Sequence, residues 1–462
     1  MRFVLDLQAC QSDSRFRGIG RYSMSIGKAL ARELISRGHE VIIGLSNSFP
    51  DEIETIKAIF ELSVPGVRFF EFSVPASCAA SKPENQWRQM SARVLREYAL
   101  ACLEPDIIHV STLLADGWDD DTIASVDLLG IHIPTVLTHY DLIPLAMSDI
   151  YLTNESFRKY YMDKLDNVCR ADLLLAISNY TKVEALKYLE RTESSVVNMS
   201  SAVNDDFWDN LERINNVDIT LEKYGIDTDF LLYAPGGFDP RKNLDRLLEA
   251  YALVPLDIRK IYKLVIASKL PVGFRDGLIW KAKELGINES ELILTDYVSD
   301  TELTNLYRTC RAYIFPSLHE GFGLPVLEAM SCGAVVIASN CTSIPEAHGF
   351  YEALFDPKDP LDISKKMLLA LADDEFRTNL KNHAIIQTKK FSWTTTAEIA
   401  VDAMERLLID IQKNSVECSY IKKRISCDEL LVKINSLCGD FKPSELDIEN
   451  FKDCFISNLR AL

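Results

Sequence analysis

The stretch that most narrows the possible folds runs from Ala312 to Gly333. An apolar run, Ala312 to Pro316, reads as a buried strand, and Ser317-Leu318-His319-Glu320-Gly321-Phe322-Gly323 breaks it. Leu324-Pro325-Val326-Leu327-Glu328-Ala329-Met330 then has the apolar period of a helix, which Gly333 stops. Pro325 suits the first helical position, where a missing N–H costs nothing. Gly321 and Gly323 let the turn approach a ligand closely. The amides of Leu324, Val326 and Leu327 are expected to project from the helix start, where the dipole favours an anion. Glu320 and Glu328 frame this place. Singly, each reads as a solvated charge. Together with the glycines, the proline and the strand, they point to a phosphate-bearing ligand whose hydroxyls the carboxylates accept.

The same strand–helix alternation continues along most of the chain and predicts α/β layers with parallel sheets. At 462 residues there is room for two or three domains. A net charge of −18 argues against nucleic acid and against a general attraction to anionic lipid, although a local basic patch can still touch a membrane. No run approaches the roughly 20 apolar residues of a membrane span. Met1 to Leu7 is too short and too soon charged for a signal peptide and reads as a first strand. Eleven cysteines without a C-x-x-C pair predict free thiols in a reducing compartment, so the expected location is the cytoplasm, or peripherally the inner face of the plasma membrane.

In the first half, a polar loop from Gln8 to Arg17 leads to Gly18-Ile19-Gly20-Arg21-Tyr22, a helix from Tyr22 to Arg37 and a strand from Glu40 to Gly44. A nicotinamide reading of Gly18 and Gly20 fails. Ser23 holds the third glycine position, about ten residues separate strand from turn, and Glu40 precedes the second strand. A glycine loop facing a phosphate or sugar fits better. Pro105 to Val110 is a strand, with Asp116 just beyond it. Asp119-Asp120-Asp121 resembles a D-x-D metal site, but reads better as the N-terminal cap of a helix over Thr122–Val126. Pro134 to Pro144 is a strand running into a polar loop, the end of a parallel strand where ligands sit. There His139 is expected to face away from Tyr140 and to be structural.

In the second half, Phe230 to Ala234 is a strand. Pro235-Gly236-Gly237-Phe238-Asp239-Pro240-Arg241-Lys242-Asn243 follows it, and then an amphipathic helix. Two adjacent cations at a helix start suit a diphosphate, whose charge rises as a sugar leaves. A solvated Arg-Lys pair is the plainer alternative. Leu303 to Thr309 is a helix, and from Leu361 the pattern is helical. The tail, 413–462, is amphipathic (Leu430, Leu431, Ile434, Leu437). It holds four of the cysteines but no histidine, which argues against zinc. Packing on the body, an interface and a link elsewhere all remain open for it.

The run H-E-G-F-G-L-P-V-L-E-A-M resembles the signature of retaining, nucleotide-sugar-dependent glycosyltransferases of family 4, with seven residues between Glu320 and Glu328. The openings D-L-Q-x-x-Q…R-G-I-G-R-Y and G-G-F-D-P-R-K-N are similar to bacterial mannosyltransferases that build polymannose O-antigens and other surface polysaccharides. The resemblance implies the GT-B fold, two Rossmann-like domains with parallel sheets facing each other across a cleft. An acceptor-side domain would cover 1–205, a nucleotide-sugar domain 206–395, and a helix crossing back 396–412, with the tail outside the resemblance.

By the same resemblance, Glu320 contacts the transferred sugar and Glu328 the ribose, with Gly321, Phe322, Gly323 and Leu324 against the donor. Lys242 holds the diphosphate within the loop of Gly236, Gly237 and Asn243. The backbone at Val298 touches the base, Gly18 and Gly20 reach the donor, and Asp116 and Arg21 reach the acceptor. Two departures stand out. Where the family has T-x-H-D, Tyr140 takes the histidine position before Asp141, and a phenol does not titrate near neutral pH. The arginine of G-R-x-x-P-x-K-N is Gly237 here, which leaves Arg241 as its substitute.

The implied catalytic set is Glu320, Lys242, Arg241, Tyr140 and Asp141, with no metal or other cofactor. The implied reaction moves a hexose, first of all mannose from GDP-mannose, onto a growing or lipid-linked glycan with retention. A UDP-hexose donor is the alternative within the class. A sugar-nucleotide epimerase and a non-catalytic subunit of a polysaccharide-assembly complex are the alternatives outside it.

Overall fold

The computed structural model describes all residues except 115, 204–216, 235 and 414–424. The domain boundary expected at 205/206, Pro235 of the phosphate loop and the first part of the tail lie outside the described residues. The chain forms two compact units. One comprises Met1–Ile177, Thr181–Met199 and Trp393–Leu462; the other comprises Ser178–Tyr180 and Ser200–Ser392.

In the first unit seven parallel strands lie in the order β3-β2-β1-β4-β5-β6-β7. They are β1 (Arg2–Asp6), β2 (Glu40–Ser46), β3 (Arg68–Phe72), β4 (Ile107–Val110), β5 (Thr135–His139), β6 (Leu173–Ala176) and β7 (Val196–Asn198). Val4, Ile42, Phe70, Val110, Leu137 and Leu174 form part of one core, as the apolar runs of a sheet covered on both faces require. Strand order reverses between β1 and β4, so the loops leaving those two strands open the crevice where such sheets bind ligands.

Those loops differ from the sequence reading. Gln8 to Arg17 is not an open polar loop but two 3₁₀ turns, Gln8–Cys10 and Asp13–Phe16, with Gln8, Gln11, Ser12 and Ser14 buried. The helix begins at Gly18 and runs to Ser36, so Gly18 and Gly20 lie in its first turn rather than before it. A Cβ on Gly20 would overlap the Ser14 carbonyl and the Arg15 Cα. The glycine is therefore required by its own neighbours. Thr122–Val126 is not a helix either. The Gln8 amide holds Ile123 at both ends of its side chain, Nε2 donating to Ile123 O (2.7 Å) and Oε1 accepting from Ile123 N (3.0 Å). Beneath it Arg96 pairs with Asp6 (Nε–Oδ2, 2.7 Å), both almost fully buried.

The helix Trp393–Lys413 packs on Gly18–Ser36. Trp393 meets Tyr22 edge-on at 5.0 Å, and Arg37 reaches Asp402 (2.7 Å) and Glu405 (2.9 Å). The described tail is a helical pair, Cys427–Cys438 and Glu445–Ala461, each opened by a capping box, Ser426 with Glu429 and Ser444 with Asp447. It lies against the helix Gln86–Ala101. Phe451 meets Trp87, Phe455 stacks on Tyr98 (5.4 Å, 19°), and Trp87 Nε1 donates to Asn435. Of the roles left open for the tail, packing on the body is the one seen. Among the described residues no helix is long and apolar enough to cross a membrane.

The second unit repeats the plan. Six parallel strands lie in the order β10-β9-β8-β11-β12-β13. They are β8 (Phe230–Tyr233), β9 (Lys263–Ile266), β10 (Leu292–Leu294), β11 (Ala312–Phe315), β12 (Val336–Ser339) and β13 (Leu354–Phe355). Here the order reverses between β8 and β11. The helix expected at Leu303–Thr309 starts earlier, at Asp300, because Ser299 and Glu302 form a capping box.

Removing the Phe451 ring leaves a cavity in the tail contact that costs about 3–5 kcal/mol. In Phe451→Ala, limited proteolysis is expected to cut within 425–462 at protease levels that leave the parent chain intact.

Candidate active site

In the second unit, the loops leaving β8 and β11 carry the residues singled out by sequence. After β8, Asp239 accepts from the Arg241 amide (3.0 Å) and folds Pro240–Lys242 into a 3₁₀ turn. Asn243 closes the turn in the left-handed region (φ +63°). Its side chain is taken up by scaffolding. Nδ2 donates to Pro316 O (3.0 Å) and Pro357 O (2.7 Å), and Oδ1 accepts from Arg246 (3.1 Å). Asn243 thus shapes the loop. A Cβ on Gly236 would overlap the Tyr233 hydroxyl, while the Gly237 amide donates to Ser268 Oγ (2.8 Å).

The loop after β11 is braced from four sides. Leu318 N donates to Arg241 O (2.7 Å), Glu320 N to Thr342 Oγ1 (3.2 Å), Ser343 Oγ to Glu320 O (2.8 Å) and Ser178 Oγ to Gly321 O (2.6 Å). Gly323 caps the helix Leu324–Ser331 at φ +99°, a conformation that a residue with a Cβ resists. Two details correct the sequence reading. Pro325 is the second helical residue, not the first, and the Val326 amide bonds to Gly323 O (2.9 Å), so it leaves the set of outward amides. Phe322 is buried edge-on to Phe391, and Val298 is buried beyond Asp296, a left-handed residue.

These braces bring three charges together. Glu320 receives Lys242 Nζ on Oε1 (2.6 Å) and Arg241 Nη1 on Oε2 (2.9 Å). Arg241 also donates to His319 O (3.0 Å), and the Phe315 ring lies 5.7 Å from Lys242 Nζ. Arg241 therefore reaches the same carboxylate as Lys242. Glu320 and Lys242 are 9% and 7% exposed. Burial alone would push the Glu320 carboxyl up; the charges of Lys242 and Arg241 outweigh it and hold Glu320 down at about 2, so the carboxylate stays ionised. Burial lowers the Lys242 ammonium, and Glu320 opposes that fall. Glu328 is half-buried on the helix Leu324–Ser331. Burial first, then Tyr233, Glu328 and Glu320, raise the Tyr313 phenol, whose hydroxyl donates to Ala234 O (2.5 Å) at the end of β8.

In the first unit, the loops leaving β1 and β4 meet through Ser14 and Asp116. Ser14 Oγ donates to Asp116 Oδ1, and Tyr160 donates to the Asp116 carbonyl (2.7 Å), while Asp116 Oδ2 is buried without a partner among the described residues. Burial raises the Asp116 carboxyl to about 6, with Ser14 opposing. At the end of β5 the Tyr140 hydroxyl shares a hydrogen bond with Ser23 Oγ (2.8 Å), and burial pushes that phenol well above its ordinary range. Asp141 Oδ1 accepts from Ile143 N (3.0 Å) at the start of a short helix. His139 is 2% exposed, and burial lowers it to about 4, in keeping with a structural residue. Gly18 and Arg21 are exposed. Asp120 and Asp121 do not cap a helix, because none forms behind them. Asp120 accepts from Gly117 N and Thr122 N, and Asp121 accepts from the amides of Ser77, Cys78 and Ala79. Sequence reasoning missed Ser14, Ser178, Thr342 and Ser343, which no motif marks because their partners are far along the chain.

Residues 217–387 match the family described as glycosyl transferases group 1, and residues 18–198 match glycosyltransferase family 4. The serotype-specific mannosyltransferase WbdA of Escherichia coli is 36% identical over 417 residues, 89% of this chain and 49% of its own length. The O-antigen chain mannosyltransferase B of Escherichia coli is 33% identical over 253 residues, 54% of this chain and 65% of its own. The chain thus spans about half the length of the WbdA relatives it matches. Among solved structures, WaaG, a glycosyltransferase involved in lipopolysaccharide biosynthesis, aligns over 87% of this chain and 99% of its own at 16% identity, with a TM-score of 0.58. Anabaena HepE in complex with UDP and glucose aligns over 88% and 100% at 16% identity, with a TM-score of 0.60. These two likenesses establish the fold, which is GT-B.

A carboxyl raised from 3.8 to about 6 keeps a proton in the folded state that the unfolded chain gives up. Its favourable contribution is complete below the unfolded value and lost as pH rises through about 6. Relative to Asp116→Asn, the parent chain is therefore expected to lose about 2–3 kcal/mol between pH 4 and pH 7, measured by urea unfolding at both values.

Proposed function

Because the chain belongs to the group 1 and family 4 glycosyltransferases, we propose that it transfers a hexose from a nucleotide sugar to a growing glycan of a bacterial surface polysaccharide. The donor we assign is GDP-mannose, in line with relatives named as mannosyltransferases of O-antigen chains. The observation that carries the proposal is the cluster of Arg241, Lys242 and Glu320 where strand order reverses in the second unit.

Lys242 and Arg241 take the diphosphate, with the Leu324 amide at the helix start behind them. Glu320 accepts from hydroxyls of the transferred sugar and Glu328 from the ribose. The backbone at Val298 meets the base, and Asp116 and Arg21 of the first unit contact the acceptor. With no protein nucleophile assigned, the course is front-face substitution through an oxocarbenium-like state that retains configuration. The C1–O bond to the diphosphate breaks, the acceptor oxygen bonds to C1 on the same face, and the departing phosphate takes the acceptor proton. The two cations stabilise the charge that grows on the leaving group without a metal in the set of roles.

Turnover of GDP-mannose and UDP-hexoses with simple mannosides tests this. Transfer from GDP-mannose is expected. Conversion of the donor without any acceptor would instead indicate an epimerase, and no turnover of any donor a non-catalytic subunit. In Lys242→Ala, kcat is expected to fall at least about 100-fold with the fold intact by circular dichroism. Near-parental turnover would remove Lys242 from the chemistry.

A further inference from the structure

The two side chains assigned above to opposite ends of the scissile bond, Glu320 to the sugar and Lys242 to the diphosphate, are bonded to each other at 2.6 Å. Glu320 also holds Arg241 through its second oxygen, at 2.9 Å. The carboxylate thus occupies the cations that a diphosphate would use, in a place nearly closed to water. A buried carboxylate in contact with both phosphate-binding cations must lie within a few ångströms of any phosphate they bind. At that range two anions repel strongly, because little solvent lies between them. An intact nucleotide sugar offsets the repulsion, since its sugar hydroxyls donate to the carboxylate. A free nucleoside diphosphate has no such hydroxyls to offer.

We propose that Glu320 discriminates between substrate and product, disfavouring the free nucleoside diphosphate at the Lys242–Arg241 pair and so promoting its release after transfer. This rests on the assignment of the diphosphate to that pair. The charge, rather than the shape, of the side chain is the discriminating property. The amide of Glu320→Gln fills the same space and keeps a hydrogen-bonding oxygen while removing the anion.

The test is calorimetric titration of GDP and UDP into the parent chain, Glu320→Gln, Glu320→Ala and Lys242→Ala, each checked for folding by circular dichroism. Glu320→Gln is expected to bind the nucleoside diphosphate about tenfold more tightly than the parent, although it turns over more slowly. Glu320→Ala, a second variant without the charge, is expected to tighten in the same direction should the amide fail to fold. Unchanged or weaker binding in the folded charge-free variants overturns the discrimination, provided that Lys242→Ala weakens binding. Binding that Lys242→Ala leaves unaltered, or no binding in the parent and in both charge-free variants, overturns instead the assignment of the diphosphate to this site, and the inference with it.

Discussion

The interaction on which the site depends is the ionised contact of Glu320 with Lys242 and Arg241. Buried carboxylates and ammonium groups are costly unless paired and further hydrogen-bonded. Here pairing is enforced from the backbone outward. Asp239 folds the turn that presents both cations, Leu318 bonds to the carbonyl of Arg241, and Thr342 and Ser343 fix the main chain of Glu320. The charges meet because the loops after two adjacent strands are tied to each other. That adjacency in turn follows from strand order, since β8 and β11 are neighbours only where the winding of the sheet reverses.

The first unit solves the same problem with different chemistry. Its reversal point joins the loops after β1 and β4 through Ser14 and Asp116, a hydroxyl and a carboxyl with no cation bonded to them among the described residues. The carboxyl therefore drifts upward on burial, whereas Glu320 is pulled down by its partners. Two acids in topologically equivalent positions thus end on opposite sides of their ordinary range. One is a fixed charge. The other sits close to the point where a proton is gained or lost.

The strands, the alternation of layers and the glycine-proline helix start were legible in the chain because each is written in a local period or a local backbone demand. The pairing of Arg241 with Glu320 was not, since it joins loops 79 positions apart and no spacing rule reports it. Locally attractive readings failed where distant partners intervened. Asp119-Asp120-Asp121 before an apolar run looks like a helix start, yet the Gln8 side chain holds Ile123 in a non-helical path. Gly18 and Gly20 look like a loop before a helix, yet they lie in its first turn, where Gly20 is demanded by the carbonyl of Ser14. The bonds from the Asn243 amide to Pro316 and Pro357, which shape the loop, were likewise out of reach of any local pattern.

The tail has a consequence for how the first unit can be divided. Helix Gln86–Ala101 has Trp87, Val94, Leu95 and Tyr98 on the side that the last two helices cover. A chain ending before residue 425 would turn that aromatic strip to water, where a second copy of the same strip is the readiest cover. The segment 425–462 thus serves as the cover of one helix face. A shortened protein would betray that segment's removal first by self-association, and only afterwards by any change in its chemistry.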